Sequence, residues 1–521
     1  MSGASVSETQ PSPVRWWILT AVLLGTLLGT INNSIANVAL PSILDEFGRN
    51  VGSGVWVITG YVLSFSTFMP VFGRLADMFG RRRIYLGCLL GYAVMGLFCT
   101  FAPSVETLIA SRALQGIAIA PVLPVVMSIV ATTFSKEERG RAMGLWATVN
   151  GLGLAIGAPL GGFLTNSLGW RSIFWATIPI ALIAYFAALK LVPVDTEKSQ
   201  DRFDWMGAGV LIAMMVCVMS SPTLAGELGI TSPVTLSLLA AAVFLFVIFI
   251  LTEAKTMPPF VDLSLFGLRA YVAATAVAAL QLFCLGGTLL LIPLFVVRLQ
   301  GNDTAFAGTL LFFLPATMMA MAAVAGRAND RFGSQLPIVG GLLLIATAGA
   351  GLGWMQPATS SAYLIACLVV MGTGIAFVQS PAAAAVTYVV EPERIGVAVG
   401  FFNMFRFVGS AFATTIFGVT LQAITEYGER AGAKSHQEAL AVAFQVNFLA
   451  LAAVAVIALL IATQIVGRPR DAERSAVSSQ PPNALAQRDA NHTALQIGHN
   501  GRGGPNNQHS EATEHRALTS E

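Results

Sequence analysis

Fourteen times along its 521 residues this chain runs almost without charge for the length of a membrane crossing. A bilayer core is about 30 Å thick, so a helix needs about 20 apolar residues to span it. The runs lie near 16–40, 53–73, 84–103, 107–131, 141–166, 170–190, 205–224, 232–251, 271–297, 305–327, 335–355, 362–387, 396–422 and 440–466. Composition agrees: 55% of residues are hydrophobic and 11% charged, with a mean hydropathy of +0.72. A soluble domain carries about 25% charged residues. The expected fold is therefore an all-α polytopic membrane protein with fourteen transmembrane helices. Trp16 and Trp17 open the first run as interfacial aromatics. That run is too long, and too polar at Asn32, Asn33 and Asn37, for a cleaved signal peptide.

Lys and Arg set the expected direction. Loops on the side of the N-terminus hold fifteen of them, among them Arg74, Arg81, Arg82 and Arg83, against five on the other side. Basic loops stay cytoplasmic, so both termini are expected inside, which requires an even number of crossings. Residues 467–521 are polar and nearly free of the large apolar side chains that order a chain. This tail, expected to be disordered, holds His492, His499, His509 and His515.

Several function classes drop out. A net charge of +2 offers no footprint for nucleic acid. Cys88, Cys99, Cys217, Cys284 and Cys367 stand in apolar runs without CxxC spacing, which argues against a zinc site or disulfide framework. There is no nucleotide-binding loop and no Ser/His/Asp set in a credible context, so neither an enzyme nor an ATP-driven pump is expected. No metal or cofactor is expected.

A motif recurs. Gly73-Arg74-Leu75-Ala76-Asp77-Met78-Phe79-Gly80 follows the second run and Gly326-Arg327-Ala328-Asn329-Asp330-Arg331-Phe332-Gly333 follows the tenth; both read G-R-x-x-D-x-F-G. The interval holds six runs with their loops plus one extra pair, near 205–224 and 232–251. Two like halves around a central cavity are a recurring transporter plan. The expected organisation is a cytoplasmic segment 1–14, a six-helix bundle 15–192, linkers and two inserted helices 193–268, a second six-helix bundle 269–466, and the tail.

At this point the chain resembles the major facilitator superfamily, and within it the fourteen-helix drug:proton antiporters. The Gly73–Arg83 loop resembles the superfamily's signature between helices two and three. Asn33-Ser34-Ile35-Ala36-Asn37-Val38-Ala39-Leu40-Pro41 is similar to the end of helix one in the fourteen-helix group, and Trp56-Val57-Ile58-Thr59-Gly60-Tyr61 to its helix two. Arg112-Ala113-Leu114-Gln115-Gly116 resembles the fourth-helix motif, and Gly153 to Gly162 the fifth-helix motif associated with exporters.

Each motif has physical content. Gly73 and Gly80 permit a tight turn, and an ion pair of Asp77, with Arg74, Arg81 and Arg82 beside it, would latch the halves together; Gly326, Arg327, Asp330 and Gly333 repeat the arrangement. Gly153, Gly157 and Gly161 share one helix face, where small residues allow a neighbouring helix close. With Pro159 and Gly162 they are expected to form a tight seam between halves. An arginine at mid-span costs about 2.5–3.5 kcal/mol, so Arg112 and Arg406 are expected to face inward. Arg112 is placed in a proton relay or polar network with Gln115 and Asn32, orienting Gln115 and Asn37. Candidate cavity residues are Asn33, Asn37, Tyr61, Trp146, Asn150, Gln281, Gln379, Asn403 and Arg406; helix–helix hydrogen bonding is the alternative role for about half of them.

One departure stands out. The fourteen-helix antiporters usually carry an acid in helix one, and that place here is Asn32. No Asp, Glu or His falls in mid-run. The function implied by the resemblance is secondary active export of small amphiphilic compounds, by proton antiport and alternating access, from the bacterial plasma membrane. The expected partners are an amphiphilic substrate, protons and membrane lipid, the protein acting as a monomer. An uncoupled facilitator or flippase of the same fold remains open, as does a transport-dead sensor or assembly factor. Asp77→Asn is expected to leave membrane insertion intact and to abolish most efflux, measured as dye or drug retention in cells matched for protein level.

Overall fold

A computed structural model of the chain describes residues 12–465 apart from 135, 195–203, 230, 254–262, 391–394, 432 and 434. The expected disordered tail, the first eleven residues and most of the linkers around the inserted pair lie outside the described residues.

The described chain is helical throughout, with no strand. The first half comprises α1 (Ser12–Phe47), the short α2 (Val51–Gly54), α3 (Trp56–Phe79), α4 (Arg81–Thr100), α5 (Val105–Ile119), α6 (Val122–Thr133), α7 (Lys136–Leu168), the short α8 (Ser172–Trp175) and α9 (Thr177–Leu191). Then come α10 (Trp205–Leu228) and α11 (Pro233–Glu253). The second half comprises α12 (Arg269–Leu294), α13 (Thr304–Phe332), α14 (Gln335–Gly353), α15 (Ser361–Val389), α16 (Ile395–Arg430) and α17 (His436–Ala462). Among the described residues thirteen helical segments are long and apolar enough to cross a bilayer. The remaining expected crossing, α10, seventh in chain order, has 24 residues, although its apolar stretch Trp205–Val218 is shorter than a span.

Local chemistry sets the ends. Asn50, Ser104, Asp303, Ser360 and Ser435 each accept a backbone N–H from the first turn of the helix that follows, satisfying donors a helix leaves open. At the opposite ends Gly80 and Gly333 take φ values of 101° and 79°, a region that favours glycine.

These two glycines revise the reading of the repeated motif. It is not a loop: Gly73–Phe79 continues α3 and Gly326–Phe332 continues α13, and only the second glycine of each copy makes the turn. Gly73 instead lies within α3, where a Cβ would press on Pro124 at 3.3 Å.

The repeat is visible in the packing. In the first half α1 packs on α7 and α9, α5 on α3 and α4, and α4 on α9. In the second, α12 packs on α16 and α17, α15 on α13 and α14, and α14 on α17. These are equivalent pairs, so the fold is two six-helix bundles with two helices added. The added helices pack on each other, and α10 also touches α3 and α16, one from each bundle.

The bundles meet along α7·α13, α3·α16 and α1·α12. The α7·α13 contact corrects the expected seam. Cβ atoms at Gly153, Gly157 and Gly161 would meet Thr30, Ile31 and Ile35 of α1, so that glycine row packs inside its own bundle. The inter-bundle contact is made one position along. A Cβ at Gly162 would come within 2.9 Å of the Ala305 Cα, and one at Gly308 would strike the Ala158 carbonyl. Backbones this close exclude water by leaving it no volume. Gly162→Leu and Gly308→Leu are expected to separate α7 from α13 and lower transport at least about tenfold, whereas Gly340→Leu, where a side chain meets nothing within 4 Å, is expected to be neutral. Substrate flux at matched membrane levels checks this.

Candidate transport site

The largest fully buried side chain belongs to Arg112. It sits in α5 at the centre of the first bundle, 1% exposed, where five membrane segments converge. Its Nε donates to the Val57 carbonyl at 3.1 Å, and its Nη1 donates to Gln115 Oε1 at 2.7 Å and to Asn32 Oδ1. Asn32 Nδ2 in turn donates to the Tyr92 hydroxyl, which lies 3.4 Å from Thr177 Oγ1. The guanidinium carbon stands 4.1 Å from the centre of the Tyr61 ring and 5.6 Å from that of Phe174. None of these partners is a carboxylate. Amide and carbonyl dipoles and two ring faces hold the charge, the latter contributing about 0.5–2 kcal/mol each where desolvated.

The structure thus brings Asn32, Arg112 and Gln115 together and adds Tyr92, Thr177 and Tyr61. Asn37 is not part of it: its Nδ2 bonds to the Asn33 carbonyl in its own helix at 2.8 Å. Tyr61, expected in the cavity, is 2% exposed beneath Arg112. A mid-span Tyr92 was the available signal for the extended network, since a buried hydroxyl needs a partner.

The second bundle is built differently. Arg406 of α16 donates to Asn403 Oδ1 at 3.1 Å and stands 5.5 Å from the Phe402 ring, while its Nε has no hydrogen-bond partner. Gln281 of α12 is fully buried and neither amide atom is partnered. Both residues lie within a turn of the contact where Gly409 meets Ala279. Buried polar groups without partners are costly, and both stand inside the second bundle, on α12 and α16. Asn33, Trp146, Asn150, Gln379 and Asn403 are half-buried on α1, α7, α15 and α16.

Contacts between the bundles cluster on one face, that of Gly48 and Gly301. Arg298, in the helical turn Phe295–Leu299, pairs with Asp45 at 2.6 Å and donates to the Pro41 carbonyl at 3.3 Å. The Gly52 N–H donates to Gln422 Oε1 at 3.0 Å. Deeper, Thr59 lies 2.8 Å from Thr414 and 3.1 Å from Thr415, all three buried. Lower still, Phe65 meets Phe407 edge-on at 4.9 Å. This seal was invisible in the sequence, where Asp45 and Arg298 read only as charges at the ends of runs.

The repeated motif lies towards the opposite face. Asp77 is in the last turns of α3, its side chain outside what is described. Arg82 donates to the Leu189 carbonyl of α9 at 2.6 Å, within its own bundle. In the second copy Arg327 and Asp330 are exposed, and Asn329 organises the turn, accepting from Ser334 at 2.8 Å and reaching Tyr388 at 3.3 Å.

Twin bundles around a polar interface, sealed on one face, define the architecture, and the family model of the Major Facilitator Superfamily matches residues 22–414. The chain belongs to this superfamily. It is 31% identical to the puromycin resistance protein pur8 of Streptomyces alboniger, over 85% of this chain and 91% of that one. It is 27% identical to the riboflavin transporter RibZ of Clostridioides difficile, over 86% and 96% of the two chains. It is 28% identical to the tetracenomycin C resistance and export protein of Streptomyces glaucescens, over 80% and 78%. Among solved structures, the fold matches a bacterial homolog of the human lysosomal transporter Spinster in an inward-facing conformation, with a TM-score of 0.63, 16% identity and coverage of 91% of this chain and 100% of that one. The protein is a multi-pass membrane transporter, not an enzyme.

In this superfamily member the Arg112 centre is testable directly. Arg112→Leu removes three buried hydrogen bonds from a charged donor, each worth about 1.5–3 kcal/mol. It is expected to lower the thermal unfolding temperature in detergent sharply. Arg112→Lys, which keeps charge but not the planar fork, is expected to fall between that variant and the wild type.

Proposed function

We propose that the protein exports small amphiphilic compounds across the plasma membrane by alternating access. The carrying observation is the seal: cross-bundle contacts of Arg298, Gln422 and Thr414 gather on the Gly48 face, the arrangement a carrier needs when that side is shut. In this reading the Gly48 face is extracellular, both termini are cytoplasmic, and the Asp45–Arg298 pair is the outer closure. The pair is partly exposed, and exposed pairs contribute about 0–1 kcal/mol, so it can break and reform within each cycle.

The substrate class follows from charge. Among the described residues Asp and Glu stand near helix ends, while two arginines are buried at the bundle centres. A strongly cationic compound would meet no counter-charge there. Neutral or anionic amphiphiles fit, with Arg406 and Gln281 as their polar anchors. Relatives named for resistance to puromycin and for tetracenomycin C export support an exporter, and one named for riboflavin supports breadth in the class.

Proton antiport is the proposed driving force, as the resemblance to the fourteen-helix antiporters implies. A specific observation favours a second reading, an uncoupled facilitator: the partner of Arg112 in helix α1 is Asn32, which carries no exchangeable charge. Flux in proteoliposomes decides. With protons more concentrated outside the vesicle face equivalent to the cell exterior, antiport is expected to accumulate substrate against its gradient and to lose that accumulation on adding a protonophore. Equilibration alone, unchanged by the pH step, would establish the facilitator. Failure of both, with protein correctly inserted, would reject the transport reading of this substrate class.

A further inference from the structure

One cavity lies beside the seal between the bundles, and none of its lining residues takes part in the transport reading. It has a volume of about 390 Å³ and opens on the Gly48 face between the first bundle and the inserted helix α10. Arg49, Ser53 and Trp56 come from the turn that leads into α3, Glu106 and Ile109 from the first turns of α5, and Leu224 from α10.

Its chemistry is graded from charged to apolar. At the rim Arg49 and Glu106 form an ion pair while remaining 46% and 63% exposed. An exposed pair of this kind exchanges readily for other partners. Both charges therefore remain available to a ligand that carries the opposite two. Ile109 and Leu224 line the cavity with hydrocarbon, and Trp56 supplies the amphipathic ring characteristic of the headgroup level. Depth agrees: Arg49 precedes the span that begins at Val51, and Glu106 is the second residue of the span Val105–Val130. Position and polarity match a zwitterionic amphiphile with a phosphate, a primary ammonium and acyl chains.

We propose that this cavity binds one phosphatidylethanolamine from the leaflet on the Gly48 side. The phosphate takes the Arg49 guanidinium, whose donor fork suits phosphate oxygens. The ammonium donates to the Glu106 carboxylate, and an acyl chain follows Ile109 and Leu224 into the bilayer. The site is contiguous with the seal, because α2 between Arg49 and Trp56 carries the Gly52 N–H that bonds to Gln422 of the other bundle. It also engages α10, the inserted helix that packs across α3 and α16. A bound lipid would brace the junction where the added helices meet the two repeats. The proposal requires only that the protein sits in a bilayer, and is independent of substrate and driving force.

The test uses the full chain, purified in detergent and stripped of lipid, by native mass spectrometry and thermal unfolding with added dioctanoyl phosphatidylethanolamine. The wild type is expected to retain one such lipid and to unfold at higher temperature as it is titrated. Dioctanoyl phosphatidylglycerol, which lacks the ammonium, and inorganic phosphate, which lacks the chains as well, are expected to act at least about tenfold more weakly. Arg49→Gln and Glu106→Gln are expected to lose the retained lipid without lowering the lipid-free unfolding temperature. Leu224→Trp, which fills the apolar end and leaves both charges, is expected to lose it too. Equal retention by wild type and all three variants would mean annular lipid only. Equal stabilisation by phosphate or phosphatidylglycerol would mean a plain anion site. Either result overturns the proposal.

Discussion

Hydrocarbon offers no partner to a backbone N–H or C=O, and this requirement underlies the rest of the structure. Every crossing segment must satisfy its own peptide groups, so each becomes a helix. Lipid gives little drive for helices to associate through apolar surface alone. Close approach and buried polar contacts do that work instead. Both are concentrated where they matter here, at Gly162 and Gly308 between the bundles and at Arg112 within the first.

The two bundles share a helix plan but not an interior. In the first, Arg112 is enclosed by Val57, Asn32, Gln115 and the rings of Tyr61 and Phe174, and its network reaches Tyr92 and Thr177. It reads as a rigid hub joining helices. In the second, Arg406 and Gln281 keep unpartnered atoms in a tightly packed pair of helices. The duplicated architecture thus carries divergent interiors, a partnered arginine in one bundle and an incompletely partnered one in the other. The seal on the Gly48 face, from Asp45–Arg298 down to Thr59 and Thr414, then joins them without fusing them, because each contact is small.

Much was legible from single residues. Apolar length located the crossings, and the doubled G-R-x-x-D-x-F-G motif revealed the repeat. The cost of a buried guanidinium placed Arg112 and Arg406 inside. Other inferences failed for physical reasons. Gly73 and Gly80 looked like a matched pair of turn residues, but turn geometry depends on φ, which composition does not report; only Gly80 adopts the positive value. Gly153, Gly157 and Gly161 do share a face, yet periodicity identifies a face without naming its neighbour. That neighbour is α1, and the inter-bundle contact falls to Gly162, about 100° further round the helix. Asn37 and Asn32 are both polar residues of one run, and only the rotation of α1 selects Asn32 for Arg112.

The amino-acid order by itself determined that this is a duplicated, membrane-spanning helical carrier. Span length, charge asymmetry and repeated motifs are local or periodic properties, and the bilayer converts them directly into helices. Tertiary structure alone decided which faces meet: that Asp45 answers Arg298, that Gly162 answers Gly308, and that the inserted helix closes a cavity over Arg49 and Glu106. Such pairings join residues far apart in the chain, and they depend on helix rotation and tilt. Those are set by the fit of all the neighbours together and by no single segment.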